Sequence, residues 1–181
     1  MDPSHFQRLI DTWYQPLYRF ALSLARNGDD ALDLTQQTFA RWAEKGSMLR
    51  EGHKAKSWLF TVLYREFLNT RRLRQREVLG EADQALESAP LPDDPAAIKV
   101  DSTMALAALW ELEETFRAPI TLFYLENHSY KEIATILDLP IGTVMSRISR
   151  AKVQLRQKLQ TTTAAPSKIV PMPNVRRSHH G

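Results

Sequence analysis

Apolar residues recur at three- and four-residue spacing through the first third of the chain. Phe6, Leu9, Ile10, Trp13, Leu17, Phe20, Ala21 and Leu24 make one stripe, and Gly28 stands where that helix should stop. Pro16 falls inside the run, so the pattern predicts a helix kinked or divided there. Asp29 or Asp30 can cap a second helix, "ALDLTQQTFARWAEK", with Ala31, Leu34, Thr38, Phe39 and Trp42 inward. Asp33, Gln36, Gln37 and Arg41 lie on its other faces, and Gly46 ends it. "GSMLREGHKAK" has no clean period and reads as a loop, after which a third helix is expected from Ser57 to about Arg76.

The texture changes after that. Between residues 77 and 101, Pro90, Pro92 and Pro95 stand among acidic side chains, which reads as a linker. A second helical block is expected over residues 102–160, with a break at Pro119. Residues 161–181 are rich in proline and polar residues without an amphipathic pattern and read as a disordered tail. The expected fold is therefore all-α: a helical bundle over residues 5–76, an acidic proline-containing linker over 77–101, and a helix-turn-helix domain over 102–160.

The helix-turn-helix rests on contiguous signals. Ser129-Tyr130-Lys131-Glu132 has the capping-box pattern, in which serine accepts from the third backbone N–H and glutamate reaches back. Ile133, Ala134 and Leu137 continue as an apolar stripe, Asp138-Leu139 makes the turn, and Pro140 suits the first position of a new helix. There Ile141, Val144, Ile148, Ala151 and Leu155 should pack inward. Gly142, Met145, Ser146, Ser149 and Arg150 then fall on the opposite face, with Arg147, Lys152 and Arg156 along the flanks. A glycine that holds nothing away from a duplex, a threonine (Thr143) able to donate to phosphate, and arginine with serines facing base edges suit a recognition helix in the major groove.

Charge sharpens this picture. The 181 residues carry a net charge of only +3. Residues 50–76 nevertheless hold 8 basic and 2 acidic side chains, residues 77–114 hold 1 and 10, and residues 139–181 hold 8 and none. Two basic regions flanking an acidic one suit two surfaces that meet a polyanion, and solvated helix faces would give the same count. With 0 cysteines there is no disulfide framework or thiolate nucleophile. The aspartates at 29, 30 and 33 lack a calcium-loop spacing, while His128 and the pair His179-His180 read as incidental surface and tail residues, so neither metal nor cofactor is expected. No phosphate-loop, dinucleotide or zinc-protease motif favours an enzyme. No run approaches a membrane span, and the start "MDPSHFQRLIDTW" lacks a leader pattern, so the expected location is the cytoplasm.

"SYKEIATILDLPIGTVMSRISRAKVQLRQKL" resembles the C-terminal domain of bacterial RNA polymerase sigma factors of the extracytoplasmic-function (ECF) group, within the sigma-70 family. "DALDLTQQTFARW" followed by "WLFTVLYREFLNTRR" resembles their N-terminal domain. The resemblance covers about residues 6–160 and implies a non-catalytic subunit that binds core RNA polymerase and recognises minus-ten and minus-thirty-five promoter elements. It implies polymerase docking through Asp33, Gln36, Gln37 and Arg41. Minus-ten contacts would come from His53, Lys54, Lys56, Trp58, Arg65, Arg71 and Arg72, and minus-thirty-five contacts from Gly142, Thr143, Met145, Ser146, Arg147, Ser149, Arg150 and Lys152. An anti-sigma partner is common in the family.

For Trp58, Phe60, Tyr64 and Phe67 a core role competes with base stacking, and for Arg71, Arg72, Arg74 and Arg76 a helix C-terminal role competes with phosphate contact. Two departures stand out: Arg65 where many relatives carry asparagine, and Met145 where a basic residue is common and a thymine methyl contact would suit. The alternative function is a conventional helix-turn-helix regulator that never joins polymerase.

Overall fold

The computed structural model describes residues 3–45, 52–80 and 107–163. Its helices are α1 (Pro3–Ala25), α2 (Gly28–Lys45), α3 (Gly52–Gly80), α4 (Glu114–Tyr124), α5 (Tyr130–Leu137) and α6 (Ile141–Thr163). A further helical turn lies at residues 107–110, and no strand occurs among the described residues. The all-α expectation therefore holds. Most of the segment read as a linker, residues 81–101, and the tail from 164 lie outside the described residues.

The first core forms where α1, α2 and α3 meet. Leu17, Phe20, Leu59, Phe60 and Leu63 are fully buried, and Trp42 closes one end edge-on to Trp58 at 5.2 Å between ring centroids. Burying side chains of this size contributes about 1.5–3 kcal/mol each, which holds three helices that would be marginal alone. Thr35 and Thr38 belong to the same buried face because their hydroxyls donate back to the carbonyls of Ala31 and Leu34, both at 2.7 Å.

Several boundaries differ from the expectation. α1 runs unbroken through Pro16, and α4 through Pro119. Each proline orphans the carbonyl four residues earlier, and those belong to Thr12 and Thr115, both exposed to solvent. The break expected at Pro119 falls instead at residues 111–113, where Glu113 adopts an extended ψ of 146°. α2 is capped by neither Asp29 nor Asp30: Asn27 Oδ1 accepts from the Asp30 N–H at 2.8 Å, after Arg26 turns the chain at φ 65°. The loop expected over 46–57 becomes helix at Gly52, because Ala55 and Leu59, one turn apart, are both buried. A lone alanine was too weak a signal to extend the stripe.

The second core is the helix-turn-helix. The capping box forms as expected, with Ser129 Oγ accepting from the Glu132 N–H at 3.3 Å and the Ser129 N–H donating to Glu132 Oε2 at 2.8 Å. α5 ends at Asp138 in the left-handed region, φ 53° and ψ 53°, and the Leu139 N–H donates to the Ala134 carbonyl at 3.0 Å. Val144, Ile148 and Ala151 are buried against α4 and α5. Ile141 is not: it is 50% exposed, because the first turn of α6 overhangs the core and Leu139 packs there instead.

The two cores pack together. α4 lies against α1 and α5 against α3. Arg19 on α1 makes a two-pronged ion pair with Glu126, at 3.2 and 3.3 Å, and Lys56 Nζ donates to the Glu126 carbonyl at 2.7 Å. His128, read from sequence as an incidental surface residue, is buried here, edge-on to Phe60 at 4.8 Å. The turn that delivers it uses Asn127 at φ 52°.

Candidate nucleic-acid interface

α6 presents the face the sequence assigned to it. Gly142, Met145, Ser146, Ser149, Arg150 and Lys152 are exposed, and Thr143 is half-buried beside them. A Cβ placed on Gly142 would meet nothing within 4 Å, so the space in front of this backbone is open to a partner. Ile141 joins Met145 one turn away, each 50% exposed, which makes an apolar pair on a face otherwise polar and basic. Arg147 departs from the flank: it lines a cavity of about 230 Å³ shared with Tyr64, Leu68 and Arg71 of α3 and with Glu113 and Glu114 at the start of α4.

The α3 residues divide into exposed and engaged groups. Arg65 and Arg72 are exposed. Lys56 is committed to the Glu126 carbonyl and lies 5.9 Å from the Trp13 ring centre. Arg71 is ion-paired with Glu114, and Arg74 with Asp30 at 2.5 and 2.6 Å. Arg74 holds the Asp30 carboxyl below its ordinary pKa, against the opposing effect of burial. Trp58 is half-buried against Trp42, so most of its ring belongs to the core, as do Phe60 fully and Tyr64 and Phe67 in part. Burial raises the Tyr64 hydroxyl, with Glu114 adding to the effect. His53 and Lys54 fall on the first turn of α3, and their side chains lie outside the described residues.

On α2, Asp33, Gln36, Gln37 and Arg41 are all exposed on one side of the helix. Arg41 is tied to Glu66 at 3.1 Å and to Glu44 at 3.5 Å, which raises its pKa. Its guanidinium is thereby aimed along α2 toward α3, while the other three side chains are left to solvent.

Sequence reasoning missed the residues that join the two cores. Arg19 reads as one more polar residue on α1, and Glu126 follows α4 without any periodic cue. Glu126 is buried, and burial raises its carboxyl above the ordinary range although Arg19 opposes the shift. His128 is driven the other way, down to about 4, first by burial and then by Lys56, with Glu132 opposing. It is therefore neutral at pH 7. Arg117 also went unnoticed: it is 6% exposed on α4, its pKa lowered by burial and then by Arg26.

Residues 9–77 match the family Sigma-70 region 2, and residues 102–155 match Sigma-70, region 4. The ECF RNA polymerase sigma factor SigL of Mycobacterium tuberculosis is 33% identical over 154 residues, covering 84% of this chain and 87% of SigL. This chain belongs to the ECF RNA polymerase sigma factors. SigE of Mycolicibacterium smegmatis is 36% identical over 147 residues, 79% of this chain and 57% of that longer protein. Among solved structures, the sigma factor RpoE of Bartonella quintana, in complex with the anti-sigma factor NepR, matches with a TM-score of 0.74 and 32% identity. The match covers 86% of this chain and 97% of RpoE. As an ECF sigma factor, the protein binds RNA polymerase and acts as a promoter-specific initiation factor. No helix among the described residues is long and apolar enough to cross a membrane.

Proposed function

We propose that the exposed side of α6 reads the minus-thirty-five element in the major groove, while α3 and the residues preceding it hold the minus-ten element. The carrying observation is the two-sided character of α6. Gly142, Met145, Ser146, Ser149, Arg150 and Lys152 face solvent along a helix whose opposite side, Val144, Ile148 and Ala151, is buried. Arg150 with Ser146 and Ser149 supplies base-edge contacts, and Thr143, Arg147 and Lys152 supply phosphate contacts. The apolar pair Ile141 and Met145 suits the methyl groups of thymines.

On α3, Arg65 and Arg72 take the strand or the upstream duplex as the chain lies, and Lys56, Arg71, His53, Lys54 and Trp58 complete the minus-ten set. Asp33, Gln36, Gln37 and Arg41 dock on core polymerase. The working units are residues 5–76 and 102–160, joined through 77–101 and followed by 161–181. The protein works in the cytoplasm through binding energy alone, performs no covalent chemistry, and has an anti-sigma partner, as the B. quintana RpoE does.

Run-off transcription with purified core polymerase on a pool of promoter fragments tests the reading. Start sites that depend on the wild-type protein and are lost with Asp33→Arg support it, provided circular dichroism shows that variant folded. Binding to DNA without any protein-dependent start site would make the chain a conventional helix-turn-helix regulator.

A further inference from the structure

Ile141 and Met145 stand half exposed on the first two turns of α6, while Val144, Ile148 and Ala151 form the core beneath them. Positions four apart share one helix face and lie about 6 Å apart along the axis. Base pairs rise by about 3.4 Å, so the two apolar side chains span about two base steps of a duplex. Gly142 puts no side chain beside them, and the space in front of its backbone is open, so both can reach the floor of the groove.

The polar groups nearby decide what such a pair can distinguish. Thymine and 5-methylcytosine carry the same C5-methyl group in the major groove. They differ beside it, where thymine has the O4 acceptor and cytosine the N4 amino donor. Telling them apart therefore takes a donor aimed at O4. Ile141 and Gly142 have no polar side-chain atom, and the Met145 thioether is at most a weak acceptor. Ser146 Oγ donates its one proton to the Thr143 carbonyl at 3.0 Å, which leaves only lone pairs for a base. An N4 amino group would satisfy those lone pairs. The exposed donors Ser149 and Arg150 come a full turn further along.

We propose that the first two turns of α6 read pyrimidine C5-methyl groups rather than whole bases. At the two positions facing Ile141 and Met145, 5-methylcytosine then serves in place of thymine, and cytosine methylation of a promoter strengthens its minus-thirty-five element. The inference rests on the assignment of α6 to that element's major groove. It adds a response to a covalent mark on the DNA.

The test uses the holoenzyme, assembled from the full chain and core polymerase, and a promoter obtained from the run-off selection. Each pyrimidine of the minus-thirty-five element is replaced in turn, thymine by deoxyuridine and cytosine by 5-methylcytosine, and affinity is measured by competition. At two neighbouring positions the loss of a thymine methyl should weaken binding about fourfold, the equivalent of about 0.8 kcal/mol for one buried methylene-sized group. Placing cytosine there should weaken binding further, and methylating that cytosine should recover about fourfold.

The ratio of affinities with and without the methyl should fall to about one at one position in Ile141→Ala and at the other in Met145→Ala. Val153→Ala, which trims another exposed apolar residue of α6, should keep both ratios. Circular dichroism should show all three variants folded. Deoxyuridine tolerated within twofold at every position would overturn the proposal, as would methyl responses that survive in the Ile141→Ala, Met145→Ala double variant. A 5-methylcytosine no better than cytosine would overturn it too, because the base would then be tested beside its methyl. Arg150→Ala separates this reading from the one beneath it. If that variant relaxes sequence preference while methyls count for nothing, the groove assignment stands and the methyl reading falls; if neither changes affinity, both fall.

Discussion

The helix-turn-helix and the joint between the two domains are both held by polar contacts, yet they differ in how far those contacts reach. Ser129 and Glu132 cap α5 across 3 residues, and Leu139 reaches back only to Ala134. Arg19 and Glu126 meet across 107 residues, and Lys56 meets Glu126 across 70. A short-range contact leaves a pattern in contiguous sequence, because helix geometry dictates which neighbours can meet. A long-range contact leaves none, because it depends on how finished helices stack. The first kind builds the exposed face of α6, and the second joins the two domains.

The largest expected effect bears on both regions at once. Phe60 is fully buried, packs at 5.5 Å against Phe20, and also receives His128 from the second domain. Phe60→Ala should cost about 3–5 kcal/mol of unfolding free energy in a urea titration. It should also loosen the joint, whereas Ala151→Gly in the helix-turn-helix should leave the interdomain distance unchanged.

Next comes acid. His128 has its pKa depressed to about 4 from 6.5, so its buried form binds fewer protons than its exposed form between those values. Stability from this group is complete above pH 6.5 and falls as pH drops toward 4, by up to about 3 kcal/mol. Lys56 and Glu132 act on it, and the raised carboxyl of Glu126 works in the opposite sense near the acid end. Unfolding followed between pH 7 and 4.5 should show the loss in wild type, and His128→Leu should flatten it. An equal slope in both would remove His128 from the account.

Contacts on the open face of α6 should cost less. Arg150→Ala should weaken binding to the minus-thirty-five duplex by about 1–3 kcal/mol and relax its sequence preference, while Lys152→Ala should weaken all duplexes alike and reduce the salt slope by about 1. Equal losses from both variants on specific and random duplexes would undo the groove assignment. Smallest is Ser129→Ala, expected to destabilise the second domain by about 1 kcal/mol through loss of the cap, with no change at the joint. Thermal unfolding together with the interdomain distance checks both halves of that expectation.

This contrast also explains what was legible in the sequence. The all-α class, the capping box, the turn at Asp138-Leu139 and the exposed face from Gly142 to Lys152 follow from contiguous spacing. The same reasoning misplaced Ile141, because periodicity continues to the end of a helix whether or not a core lies beneath that turn. It started α3 five residues late, since only Ala55 marks the buried stripe before Leu59. It allowed Pro16 to kink or divide α1 and expected a break at Pro119, whereas both helices continue through the proline, with the residue one turn back exposed in each. It read His128 as surface because nothing local says that Phe60 waits above it.

The central claim is that one chain reads two promoter elements with two surfaces, and site-specific photocrosslinking in the assembled holoenzyme tests it most directly. A crosslinking amino acid is placed at Ser149 on α6 or at Arg65 on α3, and the crosslinked nucleotides are mapped on a promoter obtained from the transcription assay. Position 149 should crosslink to duplex at the minus-thirty-five element, and position 65 to the minus-ten region of the same promoter. Crosslinks from both positions to one element, or from position 149 alone, would contradict the account.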